Sequence, residues 1–314
     1  MNIKNIGLIG FGVIGSPIAH ILNFYYKDNF HLIAGGDIRK KIESTKFIIN
    51  NDDFKPSVIS DKNELPDTLD LLIVCVKNYH LYNALEDIKK VISKDTIILP
   101  LQNGIFSFNY FAENLPENII LKGYMQGPNT EISENGIISY KNPGVIHIGS
   151  DKHTNVAIMV YNILNNCGFP VQFENNIAHM VWSKWMLNVV GNSVTALTNA
   201  DYSVFKESPD LQYICKTAME EFIILAKAEN MDLSEKDISD VLEYYINYKG
   251  TKKTSMLVDM TNYRKTENDF LAGYAMRLAN KHNLKLPMIE TLYMLIKIKE
   301  HLYMRGSEKH ECDC

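Results

Sequence analysis

The sequence has few cysteines and no long apolar run, and both shortages narrow the class of protein. Only five cysteines occur among 314 residues, an odd number without CxxC spacing. This pattern argues against a disulfide framework and favours a reducing compartment, so we expect a cytoplasmic location. No stretch approaches the roughly 20 apolar residues of a membrane span, and we expect no membrane partner.

Positive charge and several catalytic motifs are also in short supply. Lys and Arg total 32 against 37 Asp and Glu, and the net charge of -5 gives no general attraction to nucleic acid. The sequence contains no Gly-x-Ser-x-Gly, His-Glu-x-x-His or Walker A pattern, so no motif supports a hydrolase or a nucleoside triphosphatase. The last residues, His310 to Cys314, have no second ligand cluster with zinc spacing. We therefore predict no metal, and we read the tail with Cys312 and Cys314 as a polar terminus.

What is present is typical of a folded protein of about two domains. The composition is 46% hydrophobic and 22% charged, close to the averages for globular proteins. The first half alternates short apolar runs with helical spacing, which predicts a Rossmann-type, doubly wound α/β domain over residues 1–174. Predicted strands are residues 30–34, 70–76, 96–100, 119–124, 144–148 and 171–173, after a first strand that precedes the glycine cluster.

The second half shows helical spacing without strand signals, which predicts an all-helical domain over residues 175–314. The predicted helices are residues 179–197, 210–229, 234–248, 266–282 and 287–305. We expect the first domain to bind a dinucleotide and the second to bind the substrate and carry the catalytic residues.

The most informative motif is the glycine cluster Gly10-x-Gly12-x-x-Gly15, placed between a strand and a helix. The first glycine permits a tight turn, the second lets the backbone approach a pyrophosphate, and the third lets helix and strand pack closely. The predicted cofactor contacts are therefore the loop residues Gly10, Phe11, Gly12, Val13, Ile14 and Gly15. A purely structural glycine turn is the alternative.

Cofactor choice is expected at the end of the second strand, about 20 residues after the last glycine. Arg39, Lys40 and Lys41 can neutralise a 2′-phosphate and favour NADP, whereas Asp37 can accept a hydrogen bond from a free ribose hydroxyl and favours NAD. A solvated turn entering a helix explains the same residues.

A polar row on one predicted helix is the main candidate for catalysis. Lys184, Asn188 and Asn192 are four residues apart and share one helical face among tryptophans and aliphatic residues. A lysine can protonate a developing alkoxide, and amides can hydrogen-bond substrate oxygens. The alternative is a polar network between helices.

Further candidates carry a structural interpretation as well as a functional one. Ser255 and Asp259 share a face if their segment is helical. Thr266 and Asp269 resemble a capping box, which makes Glu267 a first-turn carboxylate favoured by the helix dipole. Asn103 and Lys77 each follow a predicted strand, where doubly wound folds bind ligands and where turns are also common.

Together these residues resemble the ketopantoate reductase family, the 2-dehydropantoate 2-reductases of coenzyme A biosynthesis. The resemblance covers nearly the whole chain and is carried by Gly10-x-Gly12-x-x-Gly15, Val76-Lys77, Gln102-Asn103-Gly104, Lys184-x-x-x-Asn188-x-x-x-Asn192, Ser255-Met256-Leu257-x-Asp259, Thr266-Glu267-x-Asp269 and His282-Asn-Leu-Lys-Leu-Pro287.

The resemblance implies a role for each matching residue. Lys184 would be the general acid, and Glu267 a substrate-binding and electrostatic partner. Asn103 would position nicotinamide and substrate, and Asp259 would support the lysine. Asn188, Asn192 and Ser255 would bind substrate oxygens.

The chain departs from the family after the second strand, where many members carry an arginine and this chain has Gly35. We nevertheless predict an NADPH-dependent reduction of 2-dehydropantoate, with Arg39 as the cofactor contact. An NAD-dependent D-2-hydroxyacid dehydrogenase of the same family and a catalytically silent dinucleotide sensor are the alternatives. The expected partners are a small 2-oxo acid and, through the apolar last helix, a second copy of the chain.

Overall fold

The computed structural model describes residues 3–65, 67–133, 135–248 and 253–311, with side chains up to residue 305. The chain divides into two compact units, Met1–Ala178 and His179–Cys314. Cys312 and Cys314 lie outside the described residues, whereas Cys75, Cys167 and Cys215 are free thiols. Within the described residues, no helix is both long and apolar enough to cross a membrane.

The first unit mixes strands and helices. In chain order its elements are β1 (Ile6–Ile9), α1 (Gly15–Tyr26), β2 (Phe30–Ile33), α2 (Gly36–Ser44), β3 (Phe47–Ile49), β4 (Asp52–Phe54), β5 (Ser57–Ile59), β6 (Leu71–Val74), α3 (Leu81–Val91), β7 (Ile97–Pro100), α4 (Phe106–Asn114), β8 (Lys122–Gln126), β9 (Asn129–Ile132), β10 (Ile137–Asn142), β11 (Val145–Gly149), α5 (Thr154–Asn166) and β12 (Val171–Phe173).

A five-stranded sheet forms the centre of this unit. Its strand order is β5-β2-β1-β6-β7, and every neighbouring pair is parallel. Every residue of β1, β2 and β6 is buried, which explains why these strands read as continuous apolar runs. The predicted α/β class is confirmed, and the parallel order places the carboxyl ends of these strands at one edge.

Two smaller sheets differ from the simple alternation that the sequence predicts. Their orders are β4-β3-β10-β9 and β12-β11-β8, and β11 pairs with β8 in antiparallel register. The strands β3, β4, β5, β9 and β10 were absent from the prediction because they are short or largely exposed, and Asp52–Phe54 and Asn129–Ile132 contain no apolar run. The predicted strand 119–124 begins only at Lys122.

The second unit is helical throughout its described residues. The helices from the unit boundary onward are α6 (Ile177–Leu187), a π-helical turn (Asn188–Asn192), α7 (Ser193–Thr198), α8 (Val204–Glu207), α9 (Pro209–Ala228), α10 (Glu235–Ile246), α11 (Ser255–Thr261), a 3-10 turn (Asn268–Phe270), α12 (Ala272–Lys281) and α13 (Pro287–Glu311). The all-helical prediction is confirmed.

One predicted helix start was wrong. The helix expected from Thr266 begins at Ala272, after the 3-10 turn. Asp269 does not return to cap Thr266, because its carboxylate instead accepts hydrogen bonds from the hydroxyl of Tyr293 at 2.9 Å and the ammonium of Lys297 at 3.1 Å. Both partners lie on α13, so tertiary contacts override the local capping pattern.

Candidate functional site

The glycine loop after β1 leaves room for a ligand on one side only. Gly10 has φ +99°, and a Cβ there would lie 2.4 Å from the backbone nitrogen of Val76. A Cβ at Gly15 would lie 1.9 Å from the Gly10 carbonyl oxygen, whereas a Cβ at Gly12 would meet no atom within 4 Å. Gly10 and Gly15 are thus required by packing, and Gly12 faces open space where a phosphate can approach the backbone.

The side chains of this loop hold it in place. The ring of Phe11 stacks on Phe54 at 5.4 Å and meets the edge of Phe47 at 5.0 Å. The loop is therefore fixed to β3 and β4, while the Val13 side chain is exposed. Ile14 is the N-cap residue of α1, and no side chain caps this helix, so its N-terminus can bind an anion.

Two further loops join at the same edge of the sheet. Lys77 follows β6 and opens a 3-10 turn, and the next residue, Asn78, is fully buried. The Asn78 amide donates to the backbone carbonyl of Asn103 at 3.2 Å, which ties the loop after β6 to the loop after β7. Asn78 was missed from the sequence because asparagine after a strand is also typical of a turn.

Gln102 adds an unusual feature to this edge. It is 5% exposed, and neither atom of its side-chain amide has a hydrogen-bond partner within the described residues. Buried amides are normally paired, so such a group points to a missing ligand or water. The edge formed by the glycine loop, Lys77, Asn103 and Gln102 thus fits a phosphate-bearing ligand with polar groups at its other end.

The charged residues after β2 have other partners. The Arg39 guanidinium donates to Glu43 at 2.8 Å and to Ser60 and Glu64 at 3.0 Å. The hydrogen bond to Glu43 and the one to Glu64 raise the pKa of Arg39. Lys40 pairs with Asp37 at 3.0 Å, and both side chains are largely exposed.

In the second unit, the polar row lies on one continuous helical segment. Lys184 is on α6, and Asn188 and Asn192 are the first and last residues of the π-helical turn. Asn188 is 7% and Asn192 2% exposed. The Asn192 amide nitrogen has no hydrogen-bond partner among the described residues, so it is available as a donor to a ligand.

A tyrosine hydroxyl produces the π-helical turn. In an α-helix the Gly191 N–H would bond the Leu187 carbonyl. Instead, Tyr245 of α10 donates its hydroxyl to the Leu187 carbonyl at 2.6 Å and accepts a hydrogen bond from the Gly191 backbone. Insertion of a side chain into the helical hydrogen-bond ladder widens the turn.

Glycine is the only residue type that permits this insertion at position 191. A Cβ at position 191 would lie 2.1 Å from the Tyr245 hydroxyl oxygen. Burial raises the pKa of Tyr245 well above its ordinary value, so the hydroxyl stays protonated and can donate. Because a π-helical turn contains more residues than an α-helical one, Asn192 lies at a different angle about the axis than it would in an unbroken α-helix. The sequence spacing alone misses this difference.

Helix α11 packs beside this turn. Its N-cap residue, Thr254, shares a 2.8 Å hydrogen bond with Thr195 of α7, and Thr195 in turn donates to the Gly191 carbonyl at 2.7 Å. This chain of hydroxyls fixes the start of α11, where Ser255 is exposed. Asp259, four residues later, is buried and receives the Arg264 guanidinium at 3.1 Å.

Helix α13 positions the segment that contains the remaining candidate, Glu267. Glu300 accepts a hydrogen bond from the Thr266 backbone N–H at 2.6 Å, next to Glu267. The neighbouring Lys299 donates to the Ala196 carbonyl at the end of α7, also at 2.6 Å. Glu267 is 7% exposed and precedes a turn of only three residues, so a helix-dipole role accounts poorly for burying its carboxylate.

Two family models match the chain. The model described as ketopantoate reductase PanE/ApbA matches residues 6–153, and the model of the ketopantoate reductase PanE/ApbA C terminal matches residues 176–300. A 2-dehydropantoate 2-reductase of Halobacterium salinarum is 26% identical over 248 residues, covering 78% of this chain and 80% of the relative. One of Escherichia coli O157:H7 is 25% identical over 256 residues, covering 80% and 81%.

Solved structures share the fold. D-mandelate dehydrogenase, in a ternary structure with NADH and anilino(oxo)acetate, gives a TM-score of 0.81 at 22% identity over 95% of this chain and 99% of that one. A ketopantoate reductase from Ralstonia eutropha JMP134 gives 0.79 at 22% identity over 96% and 99%. A ketopantoate reductase from Staphylococcus aureus, described as dimeric, gives 0.78 at 20% identity over 95% and 99%.

Removing the Tyr245 hydroxyl tests the origin of the π-helical turn. We expect Tyr245→Phe to lower the free energy of unfolding by about 1–3 kcal/mol, because a buried carbonyl loses its partner. The matched control is Tyr244→Phe, which removes a hydroxyl from a 40% exposed ring on the same helix and should change stability by less than about 0.5 kcal/mol. Denaturant unfolding measures both, and equal effects would contradict this role.

Proposed function

Because the chain belongs to the ketopantoate reductase family, we propose that it reduces a small 2-oxo acid to the 2-hydroxy acid with a nicotinamide dinucleotide. The observation that carries the proposal is the polar row on one helical segment, in which the half-buried Lys184 precedes two buried amides and the Asn192 amide nitrogen has no hydrogen-bond partner among the described residues. A carbonyl reduction needs such a set, namely one proton donor and neutral groups that hold substrate oxygens.

The first unit would hold the cofactor. The backbone of the glycine loop Gly10–Gly15 and the start of α1 would bind the pyrophosphate, as the open space at Gly12 permits. Lys77 would contact the phosphates or ribose, and Asn103 would orient the nicotinamide. When bound, the nicotinamide supplies the hydride that is added to C2 of the oxo acid.

The second unit would hold the substrate and supply the proton. Lys184 would keep a proton on Nζ and donate it to the substrate's C2 oxygen as the hydride arrives, so that the alcohol forms without a free alkoxide. Asn188, Asn192 and Ser255 would donate hydrogen bonds to the carboxylate and carbonyl oxygens. Glu267 would bind a substrate hydroxyl, and Asp259 would support the electrostatic setting of the lysine.

We assign 2-dehydropantoate as the first candidate substrate, which would place the reaction in pantothenate and coenzyme A biosynthesis. The names of the curated relatives from Halobacterium salinarum and Escherichia coli support this choice. Sequence reasoning favours NADPH through Arg39. A second candidate, an NAD-dependent D-2-hydroxyacid dehydrogenase, is favoured by Gly35, which stands where many family members carry an arginine. It is supported further by the likeness to D-mandelate dehydrogenase.

We also propose that the enzyme acts as a homodimer. Helix α13 carries a row of exposed apolar side chains, Met294, Leu295, Ile298 and Leu302. Exposed apolar surface of this kind is typical of a protein interface. The dimeric reductase from Staphylococcus aureus supports this assignment.

Turnover by wild type and Lys184→Ala tests the proposed function. The wild type should reduce 2-dehydropantoate with NADH or NADPH, followed at the nicotinamide absorbance. Lys184→Ala should lower kcat by roughly 100-fold while cofactor affinity is retained. Lys236→Ala, which removes a 79% exposed lysine from α10, is the control and should match the wild type. Unchanged turnover by Lys184→Ala would overturn the role of the lysine, and an inactive wild type that still binds the dinucleotide would favour a sensor.

Glu267→Gln separates a role in the reaction from a role in folding. The substitution keeps the shape and removes the charge, so we expect kcat/KM to fall by roughly tenfold or more and Tm to stay close to wild type. Glu235→Gln removes a first-turn carboxylate from α10 and controls for the helix dipole. A loss of Tm with unchanged kinetics would show that Glu267 is structural.

Gly12→Ala tests the phosphate-binding loop without disturbing the fold. Because its Cβ would meet no atom within 4 Å, we expect the free energy of unfolding to change by less than about 0.5 kcal/mol. The added methyl group would nevertheless block the pyrophosphate and raise the Kd for the dinucleotide roughly tenfold or more. Gly10→Ala should instead destabilise the fold. A Gly12→Ala protein with normal affinity would place the phosphates elsewhere.

A further inference from the structure

The residue that selects between NAD and NADP is absent from its usual place in this chain. In doubly wound dinucleotide-binding folds, an acidic or basic side chain at the end of the second strand contacts the ribose 2′ position. Here β2 is followed by Ala34, Gly35 and Gly36. Gly35 is the N-cap of α2, and Gly36 has φ +53° with open space around its missing Cβ. None of these three residues carries a polar side chain.

A carboxylate from another helix lies next to this position. A Cβ at Gly35 would lie 3.1 Å from Oδ1 of Asp87 and 3.5 Å from its Oδ2. Asp87 belongs to α3, the helix that follows β6, and α3 packs against β2. The Asp87 carboxylate therefore lies in tight contact with the point where a side chain of residue 35 would begin, and the absence of a side chain at Gly35 leaves room beside it.

Asp87 is also available to a ligand. Its side chain is 29% exposed, and Lys90 contacts it through Oδ1 at 3.0 Å. The oxygen Oδ2 has no hydrogen bond or ion pair within the described part of the chain. A carboxylate oxygen at this place can accept a hydrogen bond from a ribose hydroxyl, and it repels a phosphate.

Two of the three basic residues that would favour a 2′-phosphate, Arg39 and Lys40, are engaged elsewhere. Arg39 donates through Nε to Glu43 and through Nη1 to Ser60 and Glu64, so two carboxylates already pair with its guanidinium. Lys40 is paired with Asp37 on the exposed face of α2. A phosphate would have to displace these carboxylates as well as approach Asp87.

We propose that Asp87 is the specificity-determining residue of the cofactor site, an inference that rests on the proposed function. Its carboxylate accepts the ribose 2′-hydroxyl and excludes a 2′-phosphate, so the enzyme prefers NADH. This assignment departs from the preference for NADPH that the sequence favours through Arg39. It also explains how a family member without the usual arginine still discriminates between the two cofactors.

Equilibrium binding of both cofactors to purified Asp87→Asn tests the proposal. Binding is followed by the fluorescence of NADH and NADPH and needs no substrate, so it is independent of turnover. The wild type should bind NADH at least tenfold more tightly than NADPH. Asp87→Asn, which removes the charge and keeps the shape, should abolish this preference by tightening NADPH and weakening NADH. Thermal unfolding verifies that the variant is folded.

The matched control is Glu86→Gln, which removes the same charge one residue away on the same helix. Glu86 is exposed and pairs with Lys89, so this variant should keep the wild-type ratio of affinities. A wild type that prefers NADPH, or an Asp87→Asn ratio equal to that of Glu86→Gln, would overturn the role of Asp87 while leaving the proposed reductase intact. Failure of the wild type to bind either cofactor would overturn both.

Discussion

The hydroxyl of Tyr245 lies between the N–H of Gly191 and the carbonyl of Leu187, and the geometry of the second unit depends on this contact. It replaces one backbone hydrogen bond with two bonds to a side chain. Two rings pack against Tyr245, since it stacks with Phe205 at 4.4 Å and with Tyr202 at 5.3 Å. A fully buried hydroxyl needs partners, and the widened helix provides them. The free energy lost with the regular helical hydrogen bond is thus offset by the two hydrogen bonds that the buried hydroxyl makes.

The consequence is a widened turn with a buried amide at each end. Asn188 and Asn192 bracket the widened turn, α11 is tied to it through Thr254 and Thr195, and α13 contacts both α7 and the segment before Glu267. In the first unit, too, the backbone conformation shapes the candidate binding site. Gly10 brings the loop after β1 close to the loop after β6, at the edge of a parallel sheet.

Local patterns allow much of this architecture to be predicted from sequence. Fully buried strands such as β1 and β6 form continuous apolar runs, and the helices of the second unit have a clear period. The glycine spacing predicts the strand–turn–helix at Gly10–Gly15 because each glycine has a separate steric reason. The row of Lys184, Asn188 and Asn192 is visible because the three are four residues apart.

The remaining features depend on contacts between residues that are distant in the chain. Nothing near Gly191 indicates that Tyr245, 54 positions later, will enter its helix. The capping pattern at Thr266 fails because Asp269 is bound by residues of α13. The carboxylate beside Gly35 comes from Asp87, which follows four more strands in the sequence, so the residues at the end of β2 do not reveal it. The short strands β4 and β9 lack an apolar run and form only through pairing.

The central claim is that the widened turn directs Lys184 and the two asparagines at one substrate. A crystal structure of the enzyme soaked with pantoate, the hydroxy acid expected as product, tests it most directly. The account predicts that the 2-hydroxyl lies within hydrogen-bond distance of Lys184 Nζ, and that the Asn192 amide nitrogen donates to a pantoate oxygen. Pantoate bound without contact to either side chain, with the Asn192 amide still unpaired, would contradict it.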